Sequence, residues 1–204
     1  MSRWRVKIVV LVGLALVGSS AALALSAGGA TRASLPSAPA PPGVAAVSAP
    51  VVTGSDAQFA FLSQQRSNRC SLQRAALEAM PSSMRLQGSC CFPMDLGAYR
   101  SQVQGLSRYV SISQIPRDPY DVPVSLAKRL LAYERAVHLS PAQVRTYAKA
   151  MRMSVTKGPC CCHCWRWDAF RGMSNYLIAQ RGYSASQLAR VIDLVEGCGG
   201  PKGS

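Results

Sequence analysis

The chain has 204 residues, 49% of them hydrophobic and 16% charged, with 23 Lys and Arg against 9 Asp and Glu for a formal balance of +14. That hydrophobic fraction excludes a wholly disordered chain, and a single apolar run at the start excludes a polytopic membrane protein. Eight cysteines are too many to be incidental and too few for a pure disulfide mini-scaffold.

Arg3, Arg5 and Lys7 surround Trp4, and an apolar stretch from Ile8 to Leu25 follows. A basic head, an apolar middle and a small-residue exit at Ala22-Leu23-Ala24 have the form of an export signal. The run is also long enough to span a bilayer uncleaved, with its basic end cytoplasmic. Residues 1–30 are therefore expected to be a signal peptide or signal-anchor helix, with the rest of the chain exported, either anchored or secreted. Residues 31–55 are mostly Ala, Ser, Pro, Val and Gly, a composition that makes a semi-extended tether. All eight cysteines lie beyond it, in an expected domain at 56–204.

That domain reads as all-α: a small irregular multi-helix fold, four to six short helices with cysteine-rich loops. Asp56 opens a stretch with Phe59, Leu62, Leu72, Ala76 and Met80, a helix interrupted near Ser67-Asn68 and ended by Pro81. Asp95 suits an N-cap, and Leu96, Tyr99, Val103 and Leu106 keep helical spacing after it. Three prolines between Ile115 and Pro123 predict a loop. Val124 to Val137 places Leu126, Leu130, Leu131 and Tyr133 near one face of a further helix. Ser140-Pro141 reads as an N-cap with proline at the first helical position. Ser184 to Gln187 has capping-box spacing, and Gly197 is a natural stop. No run alternates as a strand should.

The cysteines carry the chemistry. Cys160, Cys161, Cys162 and Cys164 are packed with His163 behind Pro159, Cys90-Cys91 sit in a Gly/Pro-bounded loop, and Cys198 lies in a glycine-rich one. Pro159 suggests a helix from about Cys160 to Gln180, on which Cys160 and Cys164 share a face at i,i+4. A helix start also favours thiolate over thiol. A structural zinc site needs four N/S ligands, and this set exceeds that number, which favours a thiolate-rich centre for Cu(I) or zinc. The candidate ligands are Cys160, Cys161, Cys162, Cys164, Cys90, Cys91, Cys198 and His163. Cys70, standing alone in an expected helix, is left outside the set.

Two other readings compete. An exported chain with an even cysteine count ordinarily forms bridges, and eight cysteines allow 105 pairings. Three consecutive cysteines crowd such a scaffold, because each bridge needs its Cα atoms within about 7 Å. Cys161 and Cys164 also make a C-x-x-C, but no βαβ pattern accompanies it, so a thiol–disulfide oxidoreductase ranks third.

Pro159-Cys160-Cys161-Cys162-His163-Cys164 resembles the Pro-Cys-Tyr-Cys-Gly-Cys signature of the exported bacterial proteins named for that motif. Cys160, Cys162 and Cys164 match its three cysteines, and Gly182-Tyr183-Ser184 with Val191-Ile192-Asp193 is similar to the family's closing helix. The chain departs from the motif at Cys161 and His163 and has no lipid-anchoring cysteine. The resemblance implies export and a metal site, with copper as one candidate, and does not reach Cys90-Cys91.

Little points to an enzyme: no Ser-His-Asp arrangement, paired-carboxylate motif, phosphate loop or zincin motif is present. Trp165 and Trp167 read as core beside the cluster, His138 as a helix-end group, and Asp118 and Asp121 as turn formers. The arginines are scattered along the chain, so nucleic acid is not an expected partner. An anionic membrane surface or wall polymer suits a tethered basic domain better.

Overall fold

The computed structural model describes residues 53–160 and 162–200. The expected leader, most of the tether and Cys161 lie outside the described residues. Seven α-helices appear among the described residues, one more than the upper expectation, with a single two-stranded ribbon. No described helix is long and apolar enough to cross a membrane.

Most helix starts follow from local chemistry. Helix α1 (Asp56–Ser63) is capped by Ser55, whose side chain accepts from the Gln58 N–H. A break follows before α2 (Arg74–Ala79), wider than the interruption expected at Ser67-Asn68. In α3 (Leu96–Leu106), Asp95 accepts from the Ala98 N–H at 2.7 Å, satisfying an amide that has no partner within the helix. Helix α4 (Val124–Ala136) leaves directly from the proline-rich segment. Full capping boxes open α5 (Pro141–Met153) at Ser140/Gln143 and α7 (Ala185–Val195) at Ser184/Gln187. Between them α6 (Trp165–Arg181) ends at Gly182 in the left-handed region, with the Tyr183 N–H reaching back to Leu177 O at 3.1 Å.

Two expectations need correction. First, a short antiparallel ribbon joins β1 (Arg85–Gln87) to β2 (Asp121–Pro123), pairing Leu86 with Val122. Three residues are too few to show alternation in a sequence, yet Leu86 and Val122 are both fully buried, so the ribbon is sealed by core packing. Second, α6 begins at Trp165, not near Cys160, so Pro159 is not at its first turn. The Trp165 N–H is given to Leu72 O at 3.0 Å, and Cys164 is the extended N-cap. The clustered cysteines thus lie in the loop before the helix, and the expected i,i+4 face at Cys160 and Cys164 does not exist.

The core is built around α6. Trp165, Phe170, Met173 and Leu177 pack with Leu126, Leu130 and Leu131 of α4 and with Leu188, Val191 and Ile192 of α7. Fully burying each such side chain contributes about 1.5–3 kcal/mol. At the α4–α6 crossing Gly172 permits backbone contact: a Cβ there would stand 1.9 Å from Leu130 O. A second small cluster, Leu62, Tyr99 and Tyr120, ties α1 and α3 to the proline-rich segment. This arrangement leaves the loops between α1 and α2, between β1 and α3, before α6 and after α7 to meet.

Candidate metal centre

Backbone hydrogen bonds sew the four loops together. Cys90 N donates to Gly197 O at 2.9 Å, Cys91 N and Phe92 N to Cys198 O at 3.1 and 2.7 Å, and Gly200 N to Pro93 O at 2.8 Å. Cys70 N donates to Cys90 O at 3.2 Å. Asn68, fully buried, donates from its side chain to Gly88 O at 2.8 Å and accepts from the Trp165 indole at 3.1 Å. The approach of two of these strands requires glycine: Gly199 has φ +78°, and a Cβ there would lie 2.1 Å from Phe92 O.

The result is a continuous array of sulfur. Cys90 Sγ lies 3.6 Å from Cys70, 4.0 Å from Cys162 and 3.9 Å from Cys164. Cys91 is 4.0 Å from Cys162 and 2.7 Å from Cys70, and Cys160 is 3.4 Å from Cys198. Two sets of four have all their sulfurs within 4.8 Å of one another: Cys70, Cys90, Cys91 and Cys162, and Cys90, Cys160, Cys162 and Cys164. Four sulfurs at the usual ~2.3 Å from a zinc ion stand ~3.8 Å apart. Several of these spacings already lie near that value, so these cysteines are close enough to bind a metal.

Of the expected ligands, Cys90, Cys91, Cys160, Cys162 and Cys164 come together in these sets. Cys198 contacts Cys160 but belongs to neither set, and His163 is exposed with its ring stacked 3.9 Å from that of Trp167. Cys70, left aside on sequence grounds, is one of the group. Its sequence neighbourhood held a partial signal in the interruption expected at Ser67-Asn68; α1 already ends at Ser63 and α2 starts at Arg74, so Cys70 lies in the loop between them.

The thiols differ in their readiness to ionise. Hydrogen bonds from Cys164, Cys198 and Cys90, with a further one from the Cys162 N–H, hold Cys160 well below the ordinary thiol range despite its burial. Burial opposes ionisation of Cys70, but hydrogen bonds from Cys162, Cys91 and Cys90 outweigh it and lower that thiol too. Cys90 is pushed up by its hydrogen bonds to Cys160, Cys164 and Cys198, and then by burial. Cys162 is raised first by burial and then by its bond to Cys70 and the charge of Cys160. Cys164 and Cys198 are raised mainly by their hydrogen bonds to Cys160. Each four-sulfur set therefore contains one thiol held low by hydrogen bonds from its neighbours, Cys70 in one and Cys160 in the other.

Beneath the sulfurs lies a cation that sequence reading did not single out. Arg166 is fully buried; it donates to Val195 O at 3.2 Å, to Asn68 Oδ1 at 3.4 Å and to Pro119 O. Its guanidinium lies 5.0 Å from the Trp165 ring centroid and 5.2 Å from that of Phe170. A buried charge is costly unless its donors are satisfied; here carbonyls and aromatic faces satisfy it. Its grip on Asn68 and Val195 holds two segments that lead into cysteine loops, and its bond to Pro119 ties them to the proline-rich segment before β2.

No protein-family model, curated protein or solved structure matches the chain. The functional reading therefore rests on the geometry and chemistry of the cysteine loops.

Proposed function

We propose that this is an extracytoplasmic bacterial protein that binds a soft metal ion, Cu(I) or zinc, through its cysteine cluster for storage, sequestration or transfer. The observation that carries the reading is the convergence of sulfurs from three separate loops at near-ligand spacing. Soft thiolate donors select Cu(I) and zinc over hard cations. The basic, apolar and small-residue order of the first 30 residues supports export as a cleaved or anchored chain, and the following tether supports a domain held near an anionic membrane or wall polymer. The resemblance of the Pro159–Cys164 segment to the Pro-Cys-Tyr-Cys-Gly-Cys proteins supports the same assignment.

One observation favours a second reading. Among the described residues Cys70 and Cys91 bring their sulfurs within 2.7 Å of one another, and Cys91 is exposed. In an oxidising compartment this pair is the first expected to bridge, which would make the domain a disulfide-stabilised interaction module. Anaerobic purification, a thiol count and assay of bound Cu and Zn separate the two. Metal uptake by the reduced protein, abolished when Cys160→Ser and Cys162→Ser are combined, supports the metal reading. Complete reduction without uptake of either ion refutes it.

A further inference from the structure

We propose that the centre takes two soft monovalent ions per chain, an inner one among Cys90, Cys160 and Cys164 and an outer one among Cys70, Cys91 and Cys162, the outer ion being the one exchanged. This rests on the metal-binding reading above and adds the number of ions, the division of the ligands and the side from which they leave.

Burial divides the sulfurs. Cys90, Cys160 and Cys164 are buried, with relative exposures of 8%, 3% and 3%. Cys70 and Cys162 are half-buried and Cys91 is exposed. The inner group also has a partner behind it: Cys198, 3% exposed and 3.4 Å from Cys160, acts as a positioning residue for that ligand. The outer group faces solvent, so an incoming ion meets it first.

Coordination number decides how both positions can be filled. The two four-sulfur sets overlap at Cys90 and Cys162, so two four-coordinate ions would have to share both. Those two sulfurs are 4.0 Å apart. Ions ~2.3 Å from each of them on opposite sides would be only ~2.3 Å from one another. Two dications repel strongly at that distance in a partly buried site. Three-coordinate ions avoid the conflict, because the six sulfurs divide into two triads with none shared. Three sulfurs ~2.3 Å from a central ion stand ~4.0 Å apart. Cys91 to Cys162 at 4.0 Å and Cys90 to Cys164 at 3.9 Å already have that spacing. The Cys70–Cys91 gap has to widen from 2.7 Å, and it lies on the accessible side, where a side chain can turn. Cu(I) is the thiophilic ion that meets these terms, with each thiol that binds as thiolate releasing its proton to solvent. Zinc, which requires four ligands, is confined to one position.

The test is titration of the reduced full chain under anaerobic conditions with Cu(I), and separately with zinc, read by native mass spectrometry. Two Cu(I) but one zinc per chain are expected. Cys70→Ser and, independently, Cys91→Ser should each retain one Cu(I), with the far-UV circular dichroism of the metal-free variants reporting that they fold. A Cu(I) chelator should strip one equivalent from the wild type before the other. One Cu(I) in the wild type, more than two, two zinc ions, or loss of both Cu(I) ions in both folded variants would each overturn the division into triads while leaving metal binding intact. Failure to bind either metal would overturn the function itself.

Discussion

Replacing Asp118 by asparagine isolates one buried charge and yields a stability change of known sign. Asp118 is 5% exposed; its carboxylate accepts from the Tyr99 hydroxyl and from the Tyr120 N–H, each at 2.8 Å. Burial is the largest influence and raises its pKa from 3.8 to about 6, against the opposing hydrogen bonds and the charge of Arg166. Because the folded value lies above the unfolded one, folding favours the protonated acid. The resulting stabilisation is complete below the unfolded value of 3.8 and is lost as pH rises through about 6. A shift of that size corresponds to on the order of 3 kcal/mol. The Asp118→Asn side chain has nearly the same shape and no titration, so the stability difference between wild type and variant isolates the effect. Urea unfolding of both proteins from pH 3.5 to 7.5, reduced and with chelator present, measures that difference. It should move against the wild type by roughly 3 kcal/mol across the range, most steeply between pH 4 and 6. A difference that stays constant, or that moves in favour of the wild type, would refute the assignment of burial as the dominant influence on this carboxyl.

Four further substitutions test the framework and the surroundings of the sulfurs. Gly172→Ala places a Cβ 1.9 Å from Leu130 O, so α4 and α6 must separate; a loss of at least about 1–3 kcal/mol is expected in chemical denaturation. Gly182→Ala meets nothing within 4 Å and should cost only the left-handed backbone conformation, roughly 1–2 kcal/mol. Gly199→Ala, blocked by Phe92 O, should weaken metal affinity measured by competition with a chelator, because the Cys91 and Cys198 strands can no longer lie together. His163→Ala should leave metal stoichiometry unchanged, since its ring lies on Trp167 and not among the sulfurs; loss of an ion on that change would show that the imidazole is a ligand.

Much of the helical framework was legible in the chain because its signals are local. Asp95, Ser140 and Ser184 each cap a helix through a side chain and an amide three residues away, which a sequence displays directly. The apolar spacing of Leu126, Leu130 and Leu131 likewise found the face that α4 buries. The ribbon escaped notice because three-residue strands have too little length to alternate, and their stability comes from burial of Leu86 and Val122. The start of α6 was misplaced because proline marks a permitted first turn, not an obligatory one. The bond from Trp165 to Leu72 begins the helix later, through a partner far away in the chain.

By itself the sequence determined that the domain is mostly helical, that cysteines are concentrated in a few glycine- and proline-bounded segments, and that helices begin after Asp95, Ser140 and Ser184. Those properties depend on residues within a few positions of one another. Only the tertiary structure decided which sulfurs meet. Cys70 joined the group through its backbone bond to Cys90 and its sulfur contact with Cys91, while His163 was drawn off by Trp167. It also decided that the thiols form an inner and an outer layer, because burial is set by the packing of α4, α6 and α7 beneath the loops. Even the basic excess of the described domain was divided by folding: Arg166 became a buried clamp on three segments, whereas Arg69, Arg100 and Arg117 remained at the surface. A ligand set drawn from three loops is long-range information, which spacing along one chain cannot encode.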